Sequence, residues 1–388
     1  TWRDAAPAGA AQTARTNRLV AQRLEMEFDS AGRPEKVLGH NGTEIHRASP
    51  GGAEQVASAQ ELAVSVGAKG QWTQIVQTGN FRLADGGRNA RAERAVLDNA
   101  TDVLTLTGTA KSPAEVTDAQ SDTKADSFAF HQATGEIQGE GHVVTTYSNA
   151  APAQHLAPEP ANISADHLAA NSKDGKAAYT GHARLWQGSS LIEGQTITLD
   201  RAAREISAQG DVHAVFLQVP PPTGPAPAKG ANGGDSPAAS SDKGMDLWHI
   251  RAGKLTYFDG ESRAHLEEGF TAESQQGKIA AQSGELYFSK SGGAGSGTGI
   301  AGGASRVSRA TATGKVNIRQ KDLRGTSEHA DYTAADGKFV LSGGNPTLYD
   351  SHGNTTSGRQ LTFFLASDTI LVQSEEGLQA LPRHRVEK

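Results

Sequence analysis

Ten glycines set the frame of this chain. Gly42, Gly79, Gly108, Gly141, Gly181, Gly210, Gly269, Gly314, Gly344 and Gly377 each stand between one alternating apolar stretch and the next. They lie 29 to 40 residues apart, except across two inserts. Self-similarity at such a period marks a repeat architecture, in which one small unit cannot bury its apolar face alone and stacks on its neighbours. A glycine at the junction supplies a bulge, a tight turn or a corner at which a sheet bends.

Between the glycines, apolar residues recur at every second position. The runs are Leu24/Met26/Phe28, Leu104/Leu106, Phe128/Phe130, Ile197/Leu199, Leu255/Tyr257, Leu286/Phe288, Val316/Ile318 and Leu361/Phe363/Leu365. Polar residues fill most alternate places. Period two puts each run on one face of a strand. Clusters of Asp, Asn and Gly between runs supply turn chemistry. The one helix-like stretch, AEQVASAQELAVSVG, lacks helix caps and reads as strand. The expectation is an all-β, repeat-built chain with antiparallel strands, about two per unit. An apolar content of 36% with 45 glycines suits an elongated body with a thin core.

Two tracts stand outside the pattern. The Pro/Gly/Ser segment from Val219 to Gly244 cannot bury apolar surface and reads as a linker or long insert. A Gly-rich loop over 291–304 reads likewise. The organisation expected is therefore β-repeats over 1–218, a flexible segment over 219–245, further β-repeats over 246–379 and a tail over 380–388. The chain starts at Thr1 rather than Met, as a processed or excised segment would.

Several function classes drop out. A net charge of −6 with no basic block argues against nucleic acid, whose phosphates demand dense Lys/Arg. Without cysteine there is no disulfide, thiolate metal site or cysteine nucleophile. No apolar run is long enough to span a bilayer as a helix. Gly297–Gly302 fits Gly-x-Gly-x-x-Gly only inside a Gly/Ser tract, without the strand and helix that a dinucleotide site needs. Glu140/His142 and His329/Asp331 could pair along their strands, but neither makes a metal set. No catalytic residue, metal or cofactor is expected. The Asn-x-Ser/Thr matches read as turn asparagines.

The segment DGKFVLSGGNPTLYDSHGNTTSGRQLTFFLASDTILVQSEEG, with Gly344-Asn345-Pro346, Gly353-Asn354, Gly358 and Leu361 to Asp368, resembles the OstA-like repeat of the LptA/LptC/LptD N-terminal family of lipopolysaccharide transport. GEIQGEGHVVTTY and KAAYTGHARLWQ repeat the pattern. The likeness is strongest over Ala90–Phe216 and Thr311–Gly377; residues 1–89 match more weakly, with an LptC-like character. It implies a twisted open β-jellyroll, the β-taco, whose apolar interior carries the acyl chains of lipid A. It implies terminal edges that join like units into a periplasmic bridge. The chain departs from a single bridge domain in being about twice as long and in carrying the Val219–Gly244 insert, as a tandem or fused form would.

On that resemblance, the groove wall comprises Leu104, Leu106, Phe128, Phe130, Ile197, Leu199, Leu255, Tyr257, Leu286, Phe288, Val316, Ile318, Leu361, Phe363 and Leu365. The expected partners are lipopolysaccharide or a related lipid and other lipopolysaccharide-transport proteins, met at exposed strand edges. The expected location is the periplasm, with a tether through an upstream segment. Apolar alternation alone is equally the mark of plain core. A passive structural or adhesin-like β-stack and a β-helical polysaccharide-active enzyme therefore stay open as alternatives.

Overall fold

The computed structural model describes residues 2–3, 16–48, 54–148, 160–188, 190–218, 247–275, 277–289, 306–320, 322–364, 369–374 and 377–381. Among them the chain is all-β, with one 3-10 turn at Asp259–Glu261 and no α-helix. The stretch of helical appearance forms two short strands, Gln55–Ala59 and Glu61–Val66. Pairings run antiparallel between chain neighbours, with a two-residue parallel contact of Leu217–Gln218 beside Arg306–Val307. The 219–245 tract and the 291–304 loop lie outside the described residues. The chain forms two compact units: Thr1–Leu185 with Thr196–Ala203, and Trp186–Gln195 with Arg204–Lys388.

The recurring glycines do one mechanical job. In the pair Glu136–Tyr147 and Ala161–Asn171, Glu140 faces His167 and Val143 faces Ala165. Gly141 and His142 together therefore oppose Asp166 alone. Both take positive φ, 75° and 48°, so the ladder is interrupted and the strand bends. Gly79-Asn80 stand in the same way against Glu93. In the second unit, Gly210-Asp211 oppose Gly253, and Gly314-Lys315 oppose Glu328. Eight of the ten glycines have positive φ, and Gly108 does not. Short strands that break at the bend use a polar residue: Gly42 N–H donates to the Gln60 carbonyl at 3.0 Å, and Gln60 N–H to the Gly79 carbonyl at 2.9 Å.

This arithmetic fixes which side chains point inward. A two-residue bend preserves the phase of the alternation: Ile75 and Gln77 precede it, Phe81 follows, and all three are buried. A one-residue bend shifts the phase by one: Ala161, Ile163 and Ala165 are buried before Asp166, and Leu168 after it. Each strand thus keeps one apolar face through the corner.

The first strand departs from the expectation of a covered apolar face. In Thr16–Phe28, Leu24 and Met26 share the inward face with their partners Gly39 and Val37. Leu24, Met26 and Phe28 are nonetheless 52, 51 and 56% exposed. The reason is position: among the described residues this strand pairs along its length with Pro34–Ala48 only, so nothing stacks over its end of the core.

The surface pairs also differ from the expected ones. Glu140 meets His167, and His142 meets Asp126. Asp331 meets Arg309, and His329 approaches Thr313. Residues two apart on one strand share a face but lie farther apart than direct cross-strand neighbours, so the partner across the ladder wins.

Candidate functional site

Inside the first unit the inward faces do not close on one another. They leave a cavity of about 580 Å³. Its walls come from both sides of the glycine bends. Ile75, Leu104, Leu106, Phe128 and Phe130 stand on one side, and Ile45, Phe81, Leu83 and Val116 on the other. That both halves line one space shows that the bent strands face each other. Small side chains keep it open: Ala57, Ala90, Ala95, Ala170 and Ala177 occupy lining positions.

Polar residues collect where strands end in turns. Arg47, Arg88, Lys173, Lys176 and Arg201 border the cavity with Asp85, Asp118 and Glu136. Arg201 lays its guanidinium over the Tyr147 ring at 5.8 Å from the centroid. Burial raises the Asp118 carboxyl, but the Gln120 and Ser121 amides, the Ser121 hydroxyl and the Arg201 charge outweigh it and hold Asp118 below the usual carboxylate value. The arrangement is an apolar floor under a mixed, mainly cationic rim.

One buried polar chain crosses this interior. Tyr147 and Tyr179 hydroxyls lie 3.0 Å apart, Tyr179 donates to Thr145 Oγ1 at 2.9 Å, and Thr145 meets Thr123 Oγ1 at 3.1 Å. Because Tyr179 spends its only hydroxyl proton on Thr145, Tyr147 must donate to Tyr179. Burial pushes the Tyr179 phenol well above its ordinary value, so it stays neutral and able to donate.

Of the residues expected in a groove wall, Leu104, Leu106, Phe128, Phe130 and Leu199 border this cavity. Ile197 is fully buried but does not border it. Among the described residues, aromatic side chains pack closely in the second unit. Phe216 and Phe288 stand edge-to-face at 5.1 Å, Tyr257 meets Phe288 at 5.8 Å, and Tyr332 meets Phe339 at 4.5 Å. Leu255, Tyr257, Phe288, Val316 and Leu361 are buried, and Ile318 is half-buried. Leu286 borders a void of only about 20 Å³ beside Trp248 and Phe270. Phe363 lies in the strand Gln360–Phe364, but its side chain, and all of Leu365, fall outside the described residues. Sequence reasoning missed the polar pivots Gln60, Asp126 and Asp166; the one-residue phase slip in apolar alternation is their signal. It also missed Gln77, Tyr147 and Tyr179, polar residues at inward positions.

The family model described as "LptA/(LptD N-terminal domain) LPS transport protein" matches residues 162–369, more than half of the chain. The chain belongs to this lipopolysaccharide transport family. The match covers the last strands of the first unit, from residue 162, and most of the second. Among solved structures, LptH, the LptA homologous periplasmic component of the conserved lipopolysaccharide transport device from Pseudomonas aeruginosa, aligns over 58% of this chain and 96% of its own at 16% identity. The TM-score is 0.22, too loose a superposition to bear on the fold or the site. No curated protein matches the chain.

Proposed function

We propose that this member of the family holds the acyl chains of lipopolysaccharide, or of a related lipid, in the cavity of its first unit. In this reading it carries or bridges the lipid through the periplasm between inner and outer membrane, without catalysis of its own. The observation that carries it is the 580 Å³ apolar cavity between the two halves of the bent strands. Each methylene taken from water is worth about 0.8 kcal/mol, so a few buried carbons suffice to hold a chain. The cationic rim suits a lipid whose head bears anionic groups. Leu104, Leu106, Phe128, Phe130 and Leu199 are the wall in this proposal. The buried residues of the second unit and Ile197 serve as packed core. The strand Thr16–Phe28, with Leu24, Met26 and Phe28 exposed and, among the described residues, no partner on its outer edge beyond Asn17, is the proposed place for another transport protein to add a strand. The division of the chain at 219–245 remains part of this proposal.

The test is site-specific photocrosslinking in cells that make lipopolysaccharide. A photoreactive residue at Phe130 should capture the lipid, whereas one at Gln138, on the exposed face of the neighbouring strand, should not. Equal capture at the two positions, or none at Phe130, would sink the groove reading.

A further inference from the structure

Each glycine bend divides its strand into two arms, and in the first unit three contacts join one arm to the other. In the pair Glu136–Tyr147 and Ala161–Asn171, Glu136 faces Asn171 at one end and Tyr147 faces Ala161 at the other. The turn after Asn171 is closed by the Gly175 N–H on the Asn171 carbonyl at 3.1 Å, and the Gly175 carbonyl accepts from the Arg201 N–H at 3.2 Å. Lys176 meets Asp200 at 3.3 Å. Arg201 therefore stands at the Glu136 end of the sheet. Tyr179, just after Lys176 and before the bend at Gly181, lies on the same arm. Thr145 and Tyr147 lie beyond the bend at Gly141, on the other arm. On a straight strand Glu136 and Tyr147 would be roughly 35 Å apart. Yet the Arg201 guanidinium lies 5.8 Å from the centre of the Tyr147 ring. The Tyr179 hydroxyl lies 3.0 Å from that of Tyr147 and 2.9 Å from Thr145 Oγ1. All three contacts run from arm to arm.

These contacts are polar, and that decides what they can do. Arms held by interlocked apolar side chains part only by exposing them to water, whereas hydroxyls and a guanidinium exchange partners for water at small net cost. Arg201, Tyr147 and Tyr179 all border the cavity. The tyrosines and Thr145 are buried, while Arg201 is exposed and free to move first.

We infer, on the reading that the cavity holds acyl chains, that Arg201, Tyr147, Tyr179 and Thr145 form a clasp that gates it. The clasp fixes the separation of the arms while chains are held, and it opens for them to enter or leave. A lipid with its head at the rim and its chains between the arms cannot pass this place while the arms are joined. Opening serves entry and exit alike. The clasp therefore sets the rates of loading and release, and leaves the equilibrium affinity to the apolar wall.

The experiment follows binding of cis-parinaric acid, a fluorescent fatty acid, to the whole chain by stopped flow, with release driven by excess stearate. Tyr147→Phe combined with Arg201→Gln removes the hydroxyl and the guanidinium but keeps the ring and most of the side-chain length. It should raise the association and release rates together by about tenfold, the factor that one such contact supplies, with the dissociation constant held within about twofold. A second arm closes the gate instead. The chain has no cysteine. Asp118 accepts from the Ser121 N–H at 2.7 Å, and Ser121 faces Tyr147, so Asp118 stands on the arm opposite Arg201. Asp118→Cys with Arg201→Cys, bridged by a bis-maleimide, should release the probe at least about tenfold more slowly than the same variant capped with a monofunctional maleimide. This arm decides if the first variant does not fold. Unchanged rates in the first variant, or equal release from the bridged and capped forms, would overturn the inference. So would a changed dissociation constant at an unchanged association rate, which would make these residues part of the wall. Failure of cis-parinaric acid to bind the native chain would instead overturn the groove reading, and this inference with it.

Discussion

Substituting the bend glycines should separate backbone strain from steric crowding. Gly42 and Gly141 both have positive φ, 91° and 75°. A Cβ on Gly42 would meet nothing within 4 Å, whereas one on Gly141 would lie 2.2 Å from Asp126 Oδ2 and 2.8 Å from its Cγ. Gly42→Ala should therefore lose only the left-handed strain of an L-residue, about 1–2 kcal/mol. Gly141→Ala carries the same strain plus an overpacking penalty of about 1–3 kcal/mol, for a total of roughly 2–5 kcal/mol. Trimming the obstacle should return the second part. With Asp126→Ala, the remaining contact is with the Asp126 Cβ position at 3.1 Å, tight but tolerable. The double variant should thus fall back to about the cost of Gly42→Ala, measured from the Asp126→Ala background. Because the chain has two compact units, the readout must be local: hydrogen-exchange protection of the Glu136–Tyr147 amides for Gly141 and of the Pro34–Ala48 amides for Gly42. Equal costs for the two glycine variants, or no recovery in the double variant, would refute the crowding account of this seam.

Two further predictions concern titration and the buried hydroxyls. The hydrogen bond that His142 donates to the Asp126 carboxylate, with that group's charge, raises His142 above the ordinary imidazole value of 6.5. The pair should stabilise the seam fully below that value and lose its effect as pH rises through the raised one. NMR titration of the ring should show this elevation, and Asp126→Asn should abolish it; an unchanged titration in the variant would refute the pairing. Tyr179→Phe removes the acceptor for Tyr147 and the donor to Thr145, and should destabilise the first unit by about 1–3 kcal/mol in hydrogen exchange. A neutral result would show that water replaces the hydroxyl.

The fold was readable because two local rules agree along the chain. Strict alternation at Leu104/Leu106 or Ile197/Leu199 dictates a half-buried strand, and glycine at regular intervals dictates where it turns. Leu24, Met26 and Phe28 obey the same alternation yet stand exposed, because a side chain's face is local information and its cover is not. Glu140 and His142 could have paired along one strand, and instead take partners from adjacent strands.

The sequence by itself determined that this is an antiparallel all-β repeat chain, the shared face of runs such as Leu104/Leu106 and Leu255/Tyr257, and its resemblance to a lipopolysaccharide-transport family. Tertiary structure decided which inward faces enclose space. Leu106 and Leu255 are indistinguishable in pattern, and both are fully buried. Among the described residues, Leu106 borders the 580 Å³ cavity, whereas in the unit of Leu255 the rings of Phe216, Tyr257 and Phe288 pack against one another. Whether a wall meets its opposite depends on the summed volumes of side chains distant in sequence, a quantity that no single strand carries.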